Sequence, residues 1–137
     1  MKTDFIIDNS IVMAWCFEDE STPFTDAIQD RLVDNTAFVP AIWPLEMANV
    51  LLVAERKKRI RKADSDRFIA LVSALPIIVE TTISVQIFHD ILPLARKYKL
   101  SSYDAAYLEL AIHKKLPIAS LDQAIVKAAK QAKVPVI

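Results

Sequence analysis

The chain has 137 residues, 53% hydrophobic and 25% charged, so we expect one globular domain over residues 1–137 and not a disordered chain. Its 17 basic and 17 acidic residues cancel, so any affinity for nucleic acid must come from a local patch. It contains no glycine, which excludes the glycine-built phosphate loops of nucleotide-binding proteins.

The first part of the chain alternates short apolar segments with longer helical patterns. Ser10 is the expected N-cap of the first helix, and Pro23 suits the first turn of the second. In chain order, the predicted elements are a strand at 5–7, a helix beginning near Ser10, a helix at 23–33, a strand at 37–39, a helix from about Pro44 that decays into residues 56–59, a helix at 64–75 and a strand at 77–79.

The last third continues this alternation. Pro93 is expected to kink or split a helical pattern, and residues 101–104 have the form of a capping box. The predicted elements are a helix at 85–98, a helix from 101 to about Lys114, a strand at 117–119, a helix at 122–132 and a strand at 134–137. Short strands separated by helices indicate parallel pairing. The predicted fold class is therefore α/β, a three-layer α/β/α sandwich around a short-stranded parallel sheet.

Four carboxylates fall near one edge of this predicted sheet. Ligands of open α/β sheets bind outside the carboxyl ends of the strands. Asp8 directly follows the first strand, Asp122 follows the strand at 117–119, and Glu46 lies in the first turn or so of the helix after the second strand. Asp104 opens a helix that follows another helix, so periodicity alone does not fix its position. Topology thus brings three carboxylates together and is compatible with the fourth.

Taken singly, each of these acidic residues is typical of ordinary helix capping, which the helix dipole favours. Asp8 and Glu46, however, lie in apolar sequence without a Lys or Arg close by, where an unpaired carboxylate is costly. A metal cation is the simplest partner for clustered carboxylates, and oxygen ligands favour Mg²⁺ or Mn²⁺ over zinc.

Four short motifs carry a resemblance to a known family over essentially the whole chain. They are Asp8-Asn9-Ser10, the stretch from Glu46 to Asn49, the string Tyr103-Asp104-Ala105-Ala106-Tyr107, and Ser120-Leu121-Asp122. At these residues the chain resembles a PIN-domain ribonuclease of the VapC type, the toxins of bacterial and archaeal toxin–antitoxin pairs. Each motif alone is weak, but four in the right order are specific. The resemblance also implies that Asp104 belongs to the acidic cluster.

The resemblance implies hydrolysis of RNA that depends on Mg²⁺ or Mn²⁺. Asp8 and Asp104 would be the main metal ligands, and Glu46 and Asp122 would complete the set of ligands or orient the attacking water. Three further residues are expected to orient these carboxylates or to contact phosphate: Ser10, Asn49 and Ser120. The alternative is a non-catalytic protein-binding module of PIN fold, and the four filled acidic positions favour the enzyme.

The sequence departs from the family pattern at turns. Lys133 stands where a glycine is common, and Lys99 and Lys115 also fall at turns. These departures concern loop geometry and leave all four acidic positions filled.

Other candidate sites are weaker. His89 and His113 lack the spacing of a zinc site, and Cys16 is expected to pack in the core. Residues 56–62 contain six basic side chains, which fit either a phosphate-binding patch or a solvated helix end, with the second slightly favoured. Trp43 and Phe38 are expected to pack and not to stack on a base.

The last expectations concern location and partners. A single cysteine and the absence of an apolar stretch long enough to span a membrane predict a cytoplasmic protein. Four aromatic side chains near the N-terminus are too many to bury in a small domain and predict an interface: Trp15, Phe17, Phe24 and Trp43. The resemblance implies a homodimer and a hetero-complex with an antitoxin, whose tail can place a cationic side chain against the acidic cluster.

Overall fold

The computed structural model of the chain describes residues 3–81 and 84–137. Its centre is a parallel sheet whose four strands lie in the order β3-β2-β1-β4. The strands are β1 (Phe5–Ile7), β2 (Ala37–Val39), β3 (Ile77–Val79) and β4 (Ile118–Ala119). All four were predicted from the sequence, with β4 one residue shorter than expected.

Helices flank the sheet, which confirms the predicted α/β class. They are α1 (Asn9–Cys16), α2 (Pro23–Arg31), α3 (Trp43–Arg56), α4 (Lys62–Ser73), α5 (Ile87–Asp90), α6 (Leu92–Tyr98), α7 (Ser102–Lys114) and α8 (Gln123–Gln131). A 3₁₀ turn at Glu18–Glu20 follows α1. Helix α1 packs against α2 and α3, whereas α7 packs against α6, α8 and β1. No helix in the described part of the chain is long and apolar enough to cross a membrane.

The core is built around β1, which has a strand on each side. Phe5, Ile6 and Ile7 are fully buried, as expected for a parallel strand covered by helices on both faces. Burial of each such side chain contributes roughly 1.5–3 kcal/mol. Asp8 comes directly after this strand, so its backbone is held by a fully buried element of the fold.

Two local predictions need correction, and a third is confirmed. Asp8 is the N-cap of α1, and Ser10 lies inside the first turn. The predicted strand at 134–137 is reduced to a single parallel bridge between Ile118 and Val136, because Pro135 has no N–H to donate to a ladder. As predicted, the helical pattern at 85–98 is split at Pro93, here into α5 and α6, since proline is tolerated only in the first turn of a helix.

A chain without glycine must end its helices with other residues. Four lysines adopt the left-handed conformation with φ between 56° and 61°: Lys58, Lys99, Lys115 and Lys133. They follow or cap α3, α6, α7 and α8, positions where glycine is favoured. This conformation costs a non-glycine residue about 1–2 kcal/mol. Lysine therefore takes the role of glycine at these ends, including three of the turns singled out in the sequence.

Candidate active site

Asp8 stands at the carboxyl end of the central strand and is only 6% exposed. Its Oδ2 atom accepts two hydrogen bonds, from Ser10 Oγ at 2.6 Å and from Ser120 Oγ at 2.8 Å. Ser120 follows β4, so this carboxylate oxygen joins the ends of two adjacent strands. The contacts occupy one oxygen of Asp8 and leave Oδ1 without a side-chain partner among the described residues.

The same two serines also hold the loop that carries Asp122. Ser10 Oγ accepts a hydrogen bond from the backbone N–H of Leu121 at 3.0 Å, and Ser120 Oγ accepts one from the N–H of Asp122 at 2.9 Å. Asp122 itself caps α8, since its Oδ1 atom accepts from the N–H of Ala124 at 2.8 Å. The ordinary capping role therefore applies to Asp122, although its second oxygen is not used by the cap.

Glu46 lies in the first turn of α3 and is half-buried. Its Oε1 atom accepts a hydrogen bond of 2.7 Å from the hydroxyl of Tyr107, a fully buried residue of α7. From the sequence, Tyr107 stood out only as part of the third motif and was assigned no role. The sequence did contain one indication of this contact, because a tyrosine on the apolar face of a helix needs a hydrogen-bond partner for its hydroxyl.

Asp104 is half-buried in the first turn of α7. Its backbone N–H donates to Ser101 Oγ at 3.1 Å, which is one of the two bonds of the predicted capping box. In the described residues the carboxylate of Asp104 does not return the second bond to the backbone of Ser101. Its side chain is thus not committed to capping and lies within electrostatic range of Asp8 and Asp122.

Three of the four carboxylates have pKa values that are raised by burial and by neighbouring acids. Burial raises the pKa of Asp8, against the lowering effect of its two serine hydrogen bonds, and the charge of Asp122 raises it further. Burial also raises the pKa of Glu46, as do the charges of Asp8 and Asp104. The pKa of Asp104 is raised by burial, then by Asp122 and Asp8. These residues therefore share one negative region at the carboxyl end of the sheet.

In the part of the chain that the structure describes, this region is not balanced by a basic side chain. Within residues 3–81 and 84–137, none of the ion pairs involves Asp8, Glu46, Asp104 or Asp122. An all-oxygen, uncompensated set of donors suits Mg²⁺ or Mn²⁺. In the same described ranges, however, no three Asp, Glu, His or Cys side chains are arranged closely enough to hold a metal ion. The chemistry of the donors fits a divalent cation, and the carboxylates would have to close around it.

Asn49 and Asn9 differ from what the sequence suggested. Asn49, expected to support the carboxylates, is exposed on α3, and none of the hydrogen bonds among the described residues involves its side chain. The structure therefore does not bring Asn49 into the network around Asp8. Asn9 was assigned no role, yet it is buried beside Asp8, and its Oδ1 atom has no hydrogen-bond partner in the described part of the chain.

The basic run at 56–62 is partly committed to neighbouring acids. Arg59 donates to Asp19 and Glu20 at 2.8 Å each, and its guanidinium lies 3.8 Å from the centre of the Phe17 ring. Lys62 also forms an ion pair of 2.6 Å within its own helix. These contacts favour the helix-end interpretation for both residues.

The residues expected to pack do so to different extents. Trp43 is buried, Phe38 is half-buried under the ammonium of Lys114, and Cys16 is half-buried against the core. Burial raises the pKa of the Cys16 thiol, which makes it a poor nucleophile. Of the four aromatic residues expected at an interface, only Phe24 is classed as exposed. Trp15 is half-buried, and Phe17 and Trp43 belong to the core.

The chain belongs to the PIN domain family, whose pattern it matches over residues 5–131. No curated protein is significantly similar in sequence. Among solved structures, it is similar to PAE2754 from Pyrobaculum aerophilum, with a TM-score of 0.69 and 19% identity over 93% of this chain and 87% of that one.

Two further similar structures contain toxin–antitoxin systems. One is a toxin–antitoxin complex from Klebsiella pneumoniae, with a TM-score of 0.60 and 17% identity over 86% of each chain. The other is VapBC2 from Rickettsia felis bound to a DNA fragment from their promoter, with a TM-score of 0.68 and 9% identity over 98% of this chain and 97% of that one. At these identities the likeness concerns the fold.

Proposed function

We propose that this chain, taken as one nuclease domain over residues 1–137, is an endoribonuclease dependent on Mg²⁺ or Mn²⁺ and the toxin of a toxin–antitoxin pair. The observation that carries the proposal is the negative region formed by Asp8, Glu46, Asp104 and Asp122, which has no ion-pair partner among the described residues. Membership of the PIN domain family and the likeness to toxin–antitoxin structures support the same assignment.

The hydrogen bonds of the four carboxylates suggest which role each of them has. Asp8 and Asp104 are proposed as the main ligands, because Asp8 keeps one oxygen without a side-chain partner and Asp104 is not used as a cap. Glu46 and Asp122 complete the set or orient the attacking water. When bound, the divalent cation neutralises the phosphodiester and lowers the pKa of a water molecule.

Three polar residues support this arrangement. Ser10 and Ser120 orient Asp8 through their hydroxyl groups, as their distances of 2.6 and 2.8 Å indicate. Asn49 lies three residues after Glu46 and therefore on the same side of α3, and its exposure favours contact with phosphate over support of a carboxylate.

A non-catalytic binding module of PIN fold is the competing function. It is favoured by the lack, within the described residues, of an acidic group compact enough to hold a metal ion. Cleavage of single-stranded and looped RNA separates the two, measured with Mg²⁺ or Mn²⁺ and again with EDTA. We expect cleavage that EDTA prevents, and its loss in Asp8→Ala with an unchanged far-ultraviolet circular dichroism spectrum. Asp30→Asn, which removes a charge from the exposed face of α2, is the control. Intact RNA in every condition would favour the binding module.

The proposed partners are an antitoxin and a second copy of the chain in the cytoplasm. Large apolar side chains are exposed on α3, where Leu45 is 69% accessible, and around α5, where Val85 is 79% and Phe88 65% accessible. Apolar surface of this kind marks interfaces. Light scattering during size-exclusion chromatography should give a dimer alone and a larger complex with the product of the neighbouring gene. A monomer that leaves that product unbound would favour a free-standing nuclease.

A further inference from the structure

The hydrogen bond between Tyr107 and Glu46 links two helices that are distant in sequence. Tyr107 lies in α7 and Glu46 in α3, and the hydroxyl of the first donates to Oε1 of the second at 2.7 Å. Tyr107 is fully buried and is the largest of the fully buried side chains. A buried tyrosine hydroxyl needs a partner, and here the partner is a carboxylate of the candidate site.

Glu46 depends on this one bond for its orientation. Within the described residues, Tyr107 is the only side chain that forms a hydrogen bond with the carboxylate of Glu46. A glutamate side chain has considerable rotamer freedom, and the negative charges of Asp8 and Asp104 lie within electrostatic range of it. Without a donor, repulsion would move the carboxylate towards solvent and away from the other acids.

Asp8 is held in the same manner. Its Oδ2 atom is engaged by two serine hydroxyls and Oδ1 has no side-chain partner, just as Oε1 of Glu46 is engaged and Oε2 has none in the described chain. Each of these carboxylates is thus anchored through one oxygen by neutral donors. Groups that orient metal ligands in this way raise the affinity of a site, and their loss typically weakens metal binding by about 10–100-fold.

We propose that Tyr107 is a positioning residue, which fixes Glu46 through its hydroxyl so that the second oxygen of Glu46 is available to a divalent cation. The inference rests on the proposed function and adds to it a residue of the third motif that contacts neither RNA nor metal. The proposal also separates the role of the Tyr107 ring from that of its hydroxyl. The ring of Tyr107 contributes to the core, whereas the hydroxyl contributes to the metal site.

Isothermal titration calorimetry with Mn²⁺ alone tests the inference on the full chain without RNA. Tyr107→Phe keeps the ring and removes the hydroxyl. We expect its affinity for Mn²⁺ to fall by about tenfold, with an unchanged far-ultraviolet circular dichroism spectrum. The matched control is Tyr98→Phe, which removes the hydroxyl of a half-buried tyrosine in α6 and should bind Mn²⁺ like the unmodified chain.

A double-mutant cycle with Glu46→Gln shows whether Tyr107 acts through Glu46. We expect Glu46→Gln to weaken Mn²⁺ binding and the addition of Tyr107→Phe to weaken it no further. Cleavage by Tyr107→Phe should recover when the Mn²⁺ concentration is raised, because the defect lies in affinity. Unchanged Mn²⁺ affinity in Tyr107→Phe, or an equal loss with and without Glu46, would overturn the inference while the site assignment stands. Unchanged affinity in Glu46→Gln and Asp8→Asn would overturn both.

Discussion

Two regions of the molecule are rich in carboxylates, and they differ in how the negative charge is balanced. Around the turn between α3 and α4, acids that are exposed or, for Asp64, half-buried pair with basic side chains: Asp19 and Glu20 with Arg59, Asp64 with Arg67, and Asp66 with Lys62. At the carboxyl end of the sheet, Asp8 and Glu46 are held by hydroxyl groups, and no ion pair compensates them among the described residues.

The difference shows what neutral donors achieve. An ion pair cancels charge, whereas a hydroxyl fixes the position of a carboxylate and leaves most of its charge in place. The pKa of Asp64 is lowered, mainly by the backbone N–H of Arg61 and further by the side chains of Arg61 and Arg67, whereas the pKa of Asp8 is raised, mainly by burial. The first region is balanced within the chain, and the second is suited to a cation from outside.

The largest effect is expected from neutralising one acid in each region. Asp8→Asn should reduce RNA cleavage by at least about a hundredfold. Removing a group that only orients a metal ligand already lowers metal affinity or activity by about 10–100-fold, and Asp8 is proposed as a ligand itself. Asp19→Asn removes the same charge from the paired region and should leave cleavage unchanged. The rates are measured at equal protein concentration in Mn²⁺. Equal losses in both variants would show that the two regions do not differ in function.

The second largest effect is expected on the thermal stability of the folded protein when a metal ion binds. A cation that binds only the folded state, at a concentration of 100 times its dissociation constant, stabilises it by about 2.7 kcal/mol. We expect Mn²⁺ to raise the melting temperature and Asp104→Asn to remove most of the rise, whereas Asp66→Asn should retain it. A full response in Asp104→Asn and Asp8→Asn alike would refute the assignment of the metal site.

Much of this arrangement follows from the sequence. The rule that ligands bind at the carboxyl ends of parallel strands placed Asp8, Asp122 and Glu46 correctly at one edge, because each follows a strand or opens the helix after it. The position of Asp104 depends on how α6 and α7 pack, which periodicity does not encode. The family resemblance supplied it, and the effects of Asp122 and Asp8 on the pKa of Asp104 agree.

The contacts between side chains were harder to predict. Ser10 was expected to cap α1, yet it lies two residues after Asp8, and its hydroxyl donates to that carboxylate and accepts from the N–H of Leu121 instead of from an N–H of α1. The bond from Tyr107 to Glu46 joins helices that no local spacing rule connects. Lys58 adopts a left-handed conformation although nothing in the sequence marks it apart from the adjacent basic residues. These features depend on tertiary packing, which overrides local preference.

The two regions should also respond to pH in opposite directions in the metal-free protein. Burial raises the folded-state pKa of Asp8 above the ordinary value of about 3.9. Between these two pKa values the folded state binds more protons than the unfolded state, so the free energy of unfolding falls as the pH rises through this range. Asp8→Asn should therefore gain stability relative to the unmodified chain as pH rises. The pKa of Asp64 is lowered, so Asp64→Asn should lose stability at neutral pH and recover as pH falls. Urea unfolding between about pH 4 and pH 8 measures both, and changes of the same sign would contradict the comparison.

The smallest effect is expected from Arg59, the residue that balances the acids at the α3–α4 turn. Its guanidinium contacts Asp19 and Glu20 and stacks on the buried Phe17, so Arg59→Ala should lower the melting temperature slightly. The decrease should be smaller at high salt, because exposed ion pairs are screened. Arg59→Met, which keeps an unbranched side chain over the ring, separates packing on Phe17 from the charge. Because this region is balanced within the chain and the proposed cation site lies elsewhere, cleavage and Mn²⁺ affinity should be unchanged in both variants. A loss of RNA cleavage with normal Mn²⁺ binding would instead assign Arg59 to RNA recognition and make the basic run at 56–62 part of the functional surface.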